Sequence, residues 1–169
     1  MIRVADIEDA EKIAKLEEEN FLSSAWSEAD ILKALADCNY LIIKNTNEED
    51  CHNHHKCNEE NDENNITGYI MILLTAYEAE ILRICTCKRY RRKKIAYNLL
   101  KNGLSEVKRL NNNVESVYLE VRETNHAAIT LYEKSDFKKI GQRKNYYKNP
   151  IEDAICMKYD YTKECEVLC

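Results

Sequence analysis

Apolar residues first recur at helical spacing between Ile7 and Glu19. Ile7, Ala10, Ile13, Ala14 and Leu16 share a side, and Asp6 stands where an N-cap belongs. A second helix is predicted after Ser27, another N-cap residue. Glu28 and Asp30 make its first turn acidic, and Ile31, Leu32 and Leu35 form its apolar face. Tyr40 to Lys44 reads as a short strand, Ile66 to Thr75 as a longer one, and Glu80 to Cys87 as the next. Ile95 to Leu110 is the clearest helix, with Ile95, Leu99, Leu100, Leu104, Val107 and Leu110 on one side. A strand over Val114 to Arg122 and a short helix over His126 to Lys134 follow. Two closing strands, Phe137 to Ile140 and Ala154 to Tyr159, flank a loop that holds Tyr146, Tyr147 and Pro150. This order predicts an α/β fold with a mixed sheet.

Residues 45–65 break the pattern. They are mostly Asn, Glu, Asp and His with two cysteines and no bulky apolar side chain, a composition that cannot bury enough surface to order itself. They are expected to be a mobile insertion in a hairpin. Cys51, His52, His54, His55 and Cys57 are zinc-capable types, but their spacing fits no standard structural site, so no metal is expected. The expected organisation is one domain over 1–161 carrying this insertion, then a frayed tail at 162–169.

Composition narrows the classes. At 169 residues, with 44% hydrophobic and 33% charged, the chain suits one soluble globular domain. A net charge of −5 argues against general affinity for nucleic acid or anionic membrane. No apolar run approaches the roughly 20 residues of a membrane-spanning helix. Met1 to Asp6 does not open a signal peptide, so a cytoplasmic location and reduced cysteines are expected. A monomer is expected, since no oligomerisation segment stands apart.

Against the acidic total, residues 88–94 read Lys-Arg-Tyr-Arg-Arg-Lys-Lys, six basic residues in seven, between a strand and a helix. A helix N-terminus offers unpaired N–H groups and positive dipole potential, which suits a phosphate. No Ser, Thr, Asp or Asn caps this helix, and the cations oppose its dipole unless an anion joins them. A solvated charge run or a nuclear-localisation patch would look the same.

Residues Ile84 to Ala96 resemble the acetyl-CoA motif of the GNAT superfamily: a strand, then Arg/Gln-x-x-Gly-x-Gly/Ala, then a helix. Arg91 matches the first position and Ala96 the last, while Lys94 stands at the central glycine. The resemblance implies that backbone amides from Arg92 through Lys93, Lys94, Ile95 and Ala96 to Tyr97 hold the CoA pyrophosphate. It also implies that the pantetheine arm pairs with the strand edge at Ile84, Cys85 and Thr86. A side chain at a position that favours glycine can hinder close approach of backbone to phosphate.

In the strand around Glu120, Val117, Leu119 and Val121 share one face, and Tyr118, Glu120 and Arg122 the other. A desolvated carboxylate there suits a general base; the plainer alternative is an outward-facing glutamate, or one paired with Arg122 or a basic neighbour. Leu119 to Phe137 resembles the Leu-Glu-Val-Arg-x-x-Asn-x-x-Ala-x-x-Leu-Tyr-x-x-x-x-Phe signature of ribosomal-protein alanine N-acetyltransferases. That resemblance implies Glu120 as general base acting through water, Tyr132 as general acid for the departing CoA thiolate, and Asn125 as a CoA contact. Without it, Tyr132 would pass for a core aromatic.

Ser24 to Glu28 resembles the Pro-Trp-Ser-Glu entry to the second helix of the same group, with Ala25 for proline. Tyr146, Tyr147 and Glu152 to Met157 resemble the Tyr-Tyr…Glu-Asp-Ala-x-x-Met ending of N-terminal acetyltransferases. By this likeness Trp26, Tyr146 and Tyr147 line the entrance for a peptide acceptor, although paired tyrosines also merely cover hairpins. The implied fold is a mixed, mostly antiparallel sheet of about seven strands with about four helices. The implied reaction moves acetyl from acetyl-CoA to a protein N-terminal amine, that of a ribosomal protein among the candidates. A small amine or lysine acceptor, or a non-catalytic module binding nucleic acid through the basic turn, remain as alternatives. Cys85 has no histidine near it in sequence and is read as a small hydrophobe rather than a nucleophile.

Overall fold

The computed structural model describes residues 1–47 and 66–161. Seven strands form one sheet in the order β1-β2-β3-β4-β5-β7-β6. They are β1 (Ile2–Val4), β2 (Tyr40–Thr46), β3 (Ile66–Leu74), β4 (Glu78–Thr86), β5 (Ser116–Arg122), β6 (Lys138–Lys148) and β7 (Ile151–Asp160). Every neighbouring pair is antiparallel except β4 and β5. Four α-helices complete the fold: α1 (Ala10–Phe21), α2 (Glu28–Ala36), α3 (Ile95–Leu110) and α4 (His126–Glu133).

Local chemistry sets the helix starts. Asp6 closes a capping box with Asp9 on a 3-10 turn over Ile7–Asp9 that leads into α1. Ser27 closes another with Asp30 at the head of α2. Each sheet face has its own core. On one side Ile70 and Ile72 of β3, Ala79 and Ile81 of β4, and Leu119 and Val121 of β5 pack with Leu99, Leu100 and Val107 of α3 and Tyr132 of α4. On the other, Tyr69 and Met71 of β3 and Cys85 of β4 pack with Ile13 and Leu16 of α1 and Ile31 and Ala34 of α2. The period-two alternation along β3 sends successive residues to opposite cores. Gly68 lets α3 approach: a Cβ there would meet the Cys85 carbonyl oxygen at 2.7 Å and Ile95 Cγ2 at 3.1 Å.

Several expectations need correction. β2 runs through Asn45 and Thr46, which pair with Gly68 and Ile66, so the hairpin takes in the first residues assigned to the insertion. The rest of that insertion and the tail beyond Tyr161 lie outside the described residues. β1, which the pattern does not announce, adds an edge strand against β2. Leu32 and Leu110 point to solvent, and Ala34 and Gly103 take the buried places on their helices. Tyr146 and Tyr147 are not in a loop: β6 is an 11-residue edge strand that includes both. Its outward residues are almost all polar, so hydrophobic alternation does not mark it.

A candidate active site where two strands part

β4 and β5 pair only from Glu78–Ser116 to Ile81–Leu119. Immediately beyond, Leu82 is an extra residue on β4: Met71 faces Arg83 across the β3 ladder, and Ile72 faces Ile81. A bulge of this kind bends its strand and re-aims side chains. From Leu82 to Thr86, β4 keeps β3 on one edge and has no strand on the other among the described residues. That open edge carries Ile84, Cys85 and Thr86. The Thr86 hydroxyl is buried without a hydrogen-bond partner, the kind of orphan that a bound molecule satisfies.

The open edge leads to the N-terminus of α3. Lys94 is the N-cap residue, in a left-handed conformation (φ 61°), and no side chain caps the helix. Arg92 is also left-handed (φ 66°). The first-turn N–H groups of Ile95, Ala96 and Tyr97 have no carbonyl four residues back in the helix. Arg91 turns away from this turn: its Nη2 donates to Asn20 Oδ1 at 2.8 Å and its Nε to the Thr86 carbonyl at 3.5 Å. It braces the loop against α1. Lys93 lies 5.0 Å from the Tyr90 ring. The Asn125 carboxamide oxygen accepts from Ala128 N at 3.2 Å, so Asn125 caps α4.

Across the opening, Glu120 projects from β5 on the face opposite Leu119 and Val121. Its side chain is 16% exposed and pairs with Arg143 Nη1 at 2.9 Å, whereas Arg122 pairs with Glu152 at 2.9 Å. The cation beside Glu120 thus comes from β6 rather than from its own strand. Tyr146 hydrogen-bonds to Glu120, and this bond, then partial burial, pushes its hydroxyl up to about 12. A second bulge aims this ring: three β6 residues, Lys144 to Tyr146, stand against Asp153 alone. Asn145, left-handed at φ 52°, is tied there by N–H donation to Asp153 Oδ1 at 2.8 Å. Tyr147 stacks edge-on to Tyr146 at 5.2 Å, donates to the Glu120 carbonyl at 3.3 Å and lies under the Arg122 guanidinium at 4.0 Å.

Tyr132 of α4 is buried against Phe137. Burial, then the nearby Tyr147, raises its pKa well above the ordinary phenol value, so it is a neutral O–H donor.

Three groups of this cleft escaped the sequence reading. Glu80 of β4 stands on the Glu120 face, and its carboxyl is raised by burial and by the Glu120 charge, with Arg143 opposing. Glu17 of α1 is fully buried. It accepts from the Tyr69 hydroxyl, from Trp26 N at 2.9 Å, and lies 3.6 Å from Arg83 Nε. Arg83 is set against Phe21 and Trp26, at 5.1 and 5.9 Å from their ring centres. The one local signal was a charged residue inside an apolar run. Trp26 is half-buried, edge-on to Tyr40 at 6.3 Å. Cys85 is buried, its thiol pushed up to about 12 by burial and then by Glu17. That excludes a thiolate nucleophile near neutral pH.

Comparison with known proteins bears on this arrangement. The model of the acetyltransferase (GNAT) family matches residues 10–137. An N-alpha-acetyltransferase of Saccharolobus solfataricus is 36% identical over 107 residues, 56% of this chain and 63% of that protein. The chain therefore aligns with less than two thirds of this relative's length. In fold, the crystal structure of the ribosomal-protein-S18-alanine N-acetyltransferase from Escherichia coli superposes with a TM-score of 0.77 at 24% identity, over 95% of this chain and 92% of that one. Arabidopsis thaliana NAA60 in complex with acetyl-CoA superposes with a TM-score of 0.78 at 15% identity, over 96% and 98%.

Proposed function

The chain belongs to the GNAT acetyltransferase family, and on that footing we propose that it transfers acetyl from acetyl-CoA to the N-terminal amine of a protein or peptide. The observation that carries the reading is the parting of β4 and β5 at the Leu82 bulge. It leaves the β4 edge unpaired beyond Leu82, next to the point where Glu120 follows on β5. The residues present fit the CoA ester. The N–H and C=O groups of Ile84, Cys85 and Thr86 offer an edge to the amides of the pantetheine arm. The amides of the turn from Arg92 to Lys94 and those of the first turn of α3, Ile95 to Tyr97, suit the pyrophosphate. Acetyl-CoA supplies the activated acyl group as a thioester.

The chain's own groups do the proton work. An α-amine is mostly protonated near neutral pH, with a reference pKa of about 7.7–8.0. Glu120, through water, takes a proton from the acceptor ammonium. The freed amine forms the new C–N bond as the C–S bond breaks. Tyr132, kept neutral by burial, gives its proton to the departing sulfur and is reprotonated, through water, by the second proton that the new amide nitrogen sheds. Trp26 on one wall and Tyr146 and Tyr147 on the other hold the acceptor so that the amine faces the gap, where most of the rate gain lies. The relatives named for N-terminal acetylation favour this acceptor class.

Calorimetric titration with acetyl-CoA, then acetylation of a short-peptide panel beside polyamines, tests the reading. One-to-one binding and peptide turnover are expected. Glu120→Gln and Tyr132→Phe should each lower turnover by about 10²–10⁴-fold while acetyl-CoA affinity holds. Near-normal turnover in both variants overturns the roles, and turnover of polyamines alone overturns the acceptor class.

A further inference from the structure

The cleft holds a cation whose position on the sheet is unusual. Without the bulge, Ala79, Ile81, Arg83 and Cys85 would share one face of β4. The extra residue at Leu82 turns Arg83 to the other face, toward α1, α2 and the Glu120 carboxylate. Because Ile81 pairs with Leu119 and Leu82 is the added residue, Arg83 stands level with Glu120 across the widening gap. Strands in register are about 4.8 Å apart, so the two charges flank the opening from which an acceptor amine must approach.

The guanidinium is held but not used up. Its Nη1 donates to the Leu82 carbonyl at 3.0 Å and its Nη2 to the Ser24 carbonyl at 3.1 Å. Its Nε is buried without a hydrogen-bond partner, 3.6 Å from Glu17. Phe21 and Trp26 lie against the plane. Of five N–H donors, two are engaged, so one on each terminal nitrogen remains, on a side chain 25% exposed. The charge reaches the far wall, where it lowers the pKa of Tyr147 against the larger effect of burial. A purely structural arginine would direct this fork into the fold. Here one N–H on each terminal nitrogen is uncommitted on a side chain 25% exposed, and such a paired fork matches carboxylate.

We propose that Arg83 is a specificity residue that selects acceptors whose first residue is Asp or Glu. This rests on the N-terminal acetyltransferase reading above. The acceptor's ammonium lies toward Glu120 and Glu80, and its side-chain carboxylate meets the free N–H pair of Arg83. Such an acceptor carries both charges a short side chain apart, as the cleft does in mirror order. A lysine in the first position would set cation against cation.

The test is kcat/KM for the full-length enzyme on four peptides that differ only in the first residue: Asp, Glu, Ala and Lys. The acidic pair is expected to exceed Ala by about 10- to 100-fold, the range one charge-assisted hydrogen bond supplies, with Lys lowest. Arg83→Gln should bring Asp, Glu and Ala within about threefold of one another, and Arg83→Lys, which keeps charge but loses the fork, should fall between. Turnover without an acidic preference in the wild type overturns the proposal and leaves the acetyltransferase reading standing. An acidic preference that survives in a folded Arg83→Gln variant moves the selectivity elsewhere and also overturns it. No acetylation of any peptide, despite acetyl-CoA binding, sinks both. If Arg83→Gln unfolds, the wild-type ranking together with Arg83→Lys decides.

Discussion

Glu17 is the least expected charge in the protein, and its removal has a calculable effect. The carboxylate is fully buried under the α1–α2 connection. One oxygen accepts from the Tyr69 hydroxyl and lies near Arg83; the other accepts from Trp26 N. Glu17→Gln keeps the shape but turns one acceptor into a donor. Its NH2 must face either the Trp26 N–H, donor against donor, or the Tyr69 hydroxyl, which can reverse to accept. At best the variant loses the ion pair and the charge assistance of both bonds. Hydrogen bonds to charged groups contribute about 1.5–3 kcal/mol each, so a loss of about 2–3 kcal/mol is expected. For a chain of this size each kcal/mol moves Tm by about 2–4 °C, giving a fall of roughly 5–10 °C. Scanning calorimetry of wild type, Glu17→Gln, Tyr69→Phe and the double variant measures it. The double variant should be less destabilised than the sum of the singles by about 1 kcal/mol or more, since both changes remove one interaction. A Tm within 2 °C of wild type, or strict additivity, would refute the network.

Two other outcomes follow from buried groups at the same site. Thr86→Val removes a hydroxyl that has no partner in the fold. The free protein should keep its stability or gain up to about 1 kcal/mol, while acetyl-CoA affinity falls several-fold by calorimetry; equal affinity would place the ligand away from this strand edge. Cys85, pushed up to about 12, should resist alkylation at pH 8 while the exposed Cys38 labels readily, as peptide mass spectrometry reads directly. Because its folded pKa is raised, the stabilisation from its neutral thiol is complete below pH 9 and is lost as pH climbs toward 12. A Cys85→Ala variant should therefore show a shallower alkaline fall in Tm, and an unchanged slope would argue against a buried neutral thiol.

What could be read without coordinates was local. α3 begins and ends at Ile95 and Leu110 as its apolar spacing indicates, and Ser27 caps α2 through its own side chain. The strand–helix unit around Glu120 and Tyr132 carries a long motif, so both positions were visible. What was hidden depends on partners far along the chain. Nothing near Glu17 in a run of three glutamates signals that a tyrosine 52 residues away buries it. The Leu82 bulge has no glycine or proline to mark it, so period-two reasoning assigns Arg83 to the wrong face. β6 escaped because an edge strand needs only one partner and can be polar on both faces. Tyr146 is placed over Glu120 by a bulge that only the β7 register reveals.

Lys94 draws these levels together. Its left-handed backbone is what the glycine in the family pattern accommodates freely, and a lysine holds it at a cost of about 1–2 kcal/mol. Arg92 adds a second such residue two positions earlier. Both are cations, set at an uncapped helix N-terminus whose dipole repels them. The turn therefore carries backbone strain and charge repulsion together. Strain of this order persists where the surrounding structure over-determines it, and it collects at ligand clamps. A bound polyanion relieves the repulsion, and the left-handed turns direct the following amides toward it. On the function proposed above, the substituted glycine would mark a phosphate turn in which lysine charge compensates for a less accommodating backbone.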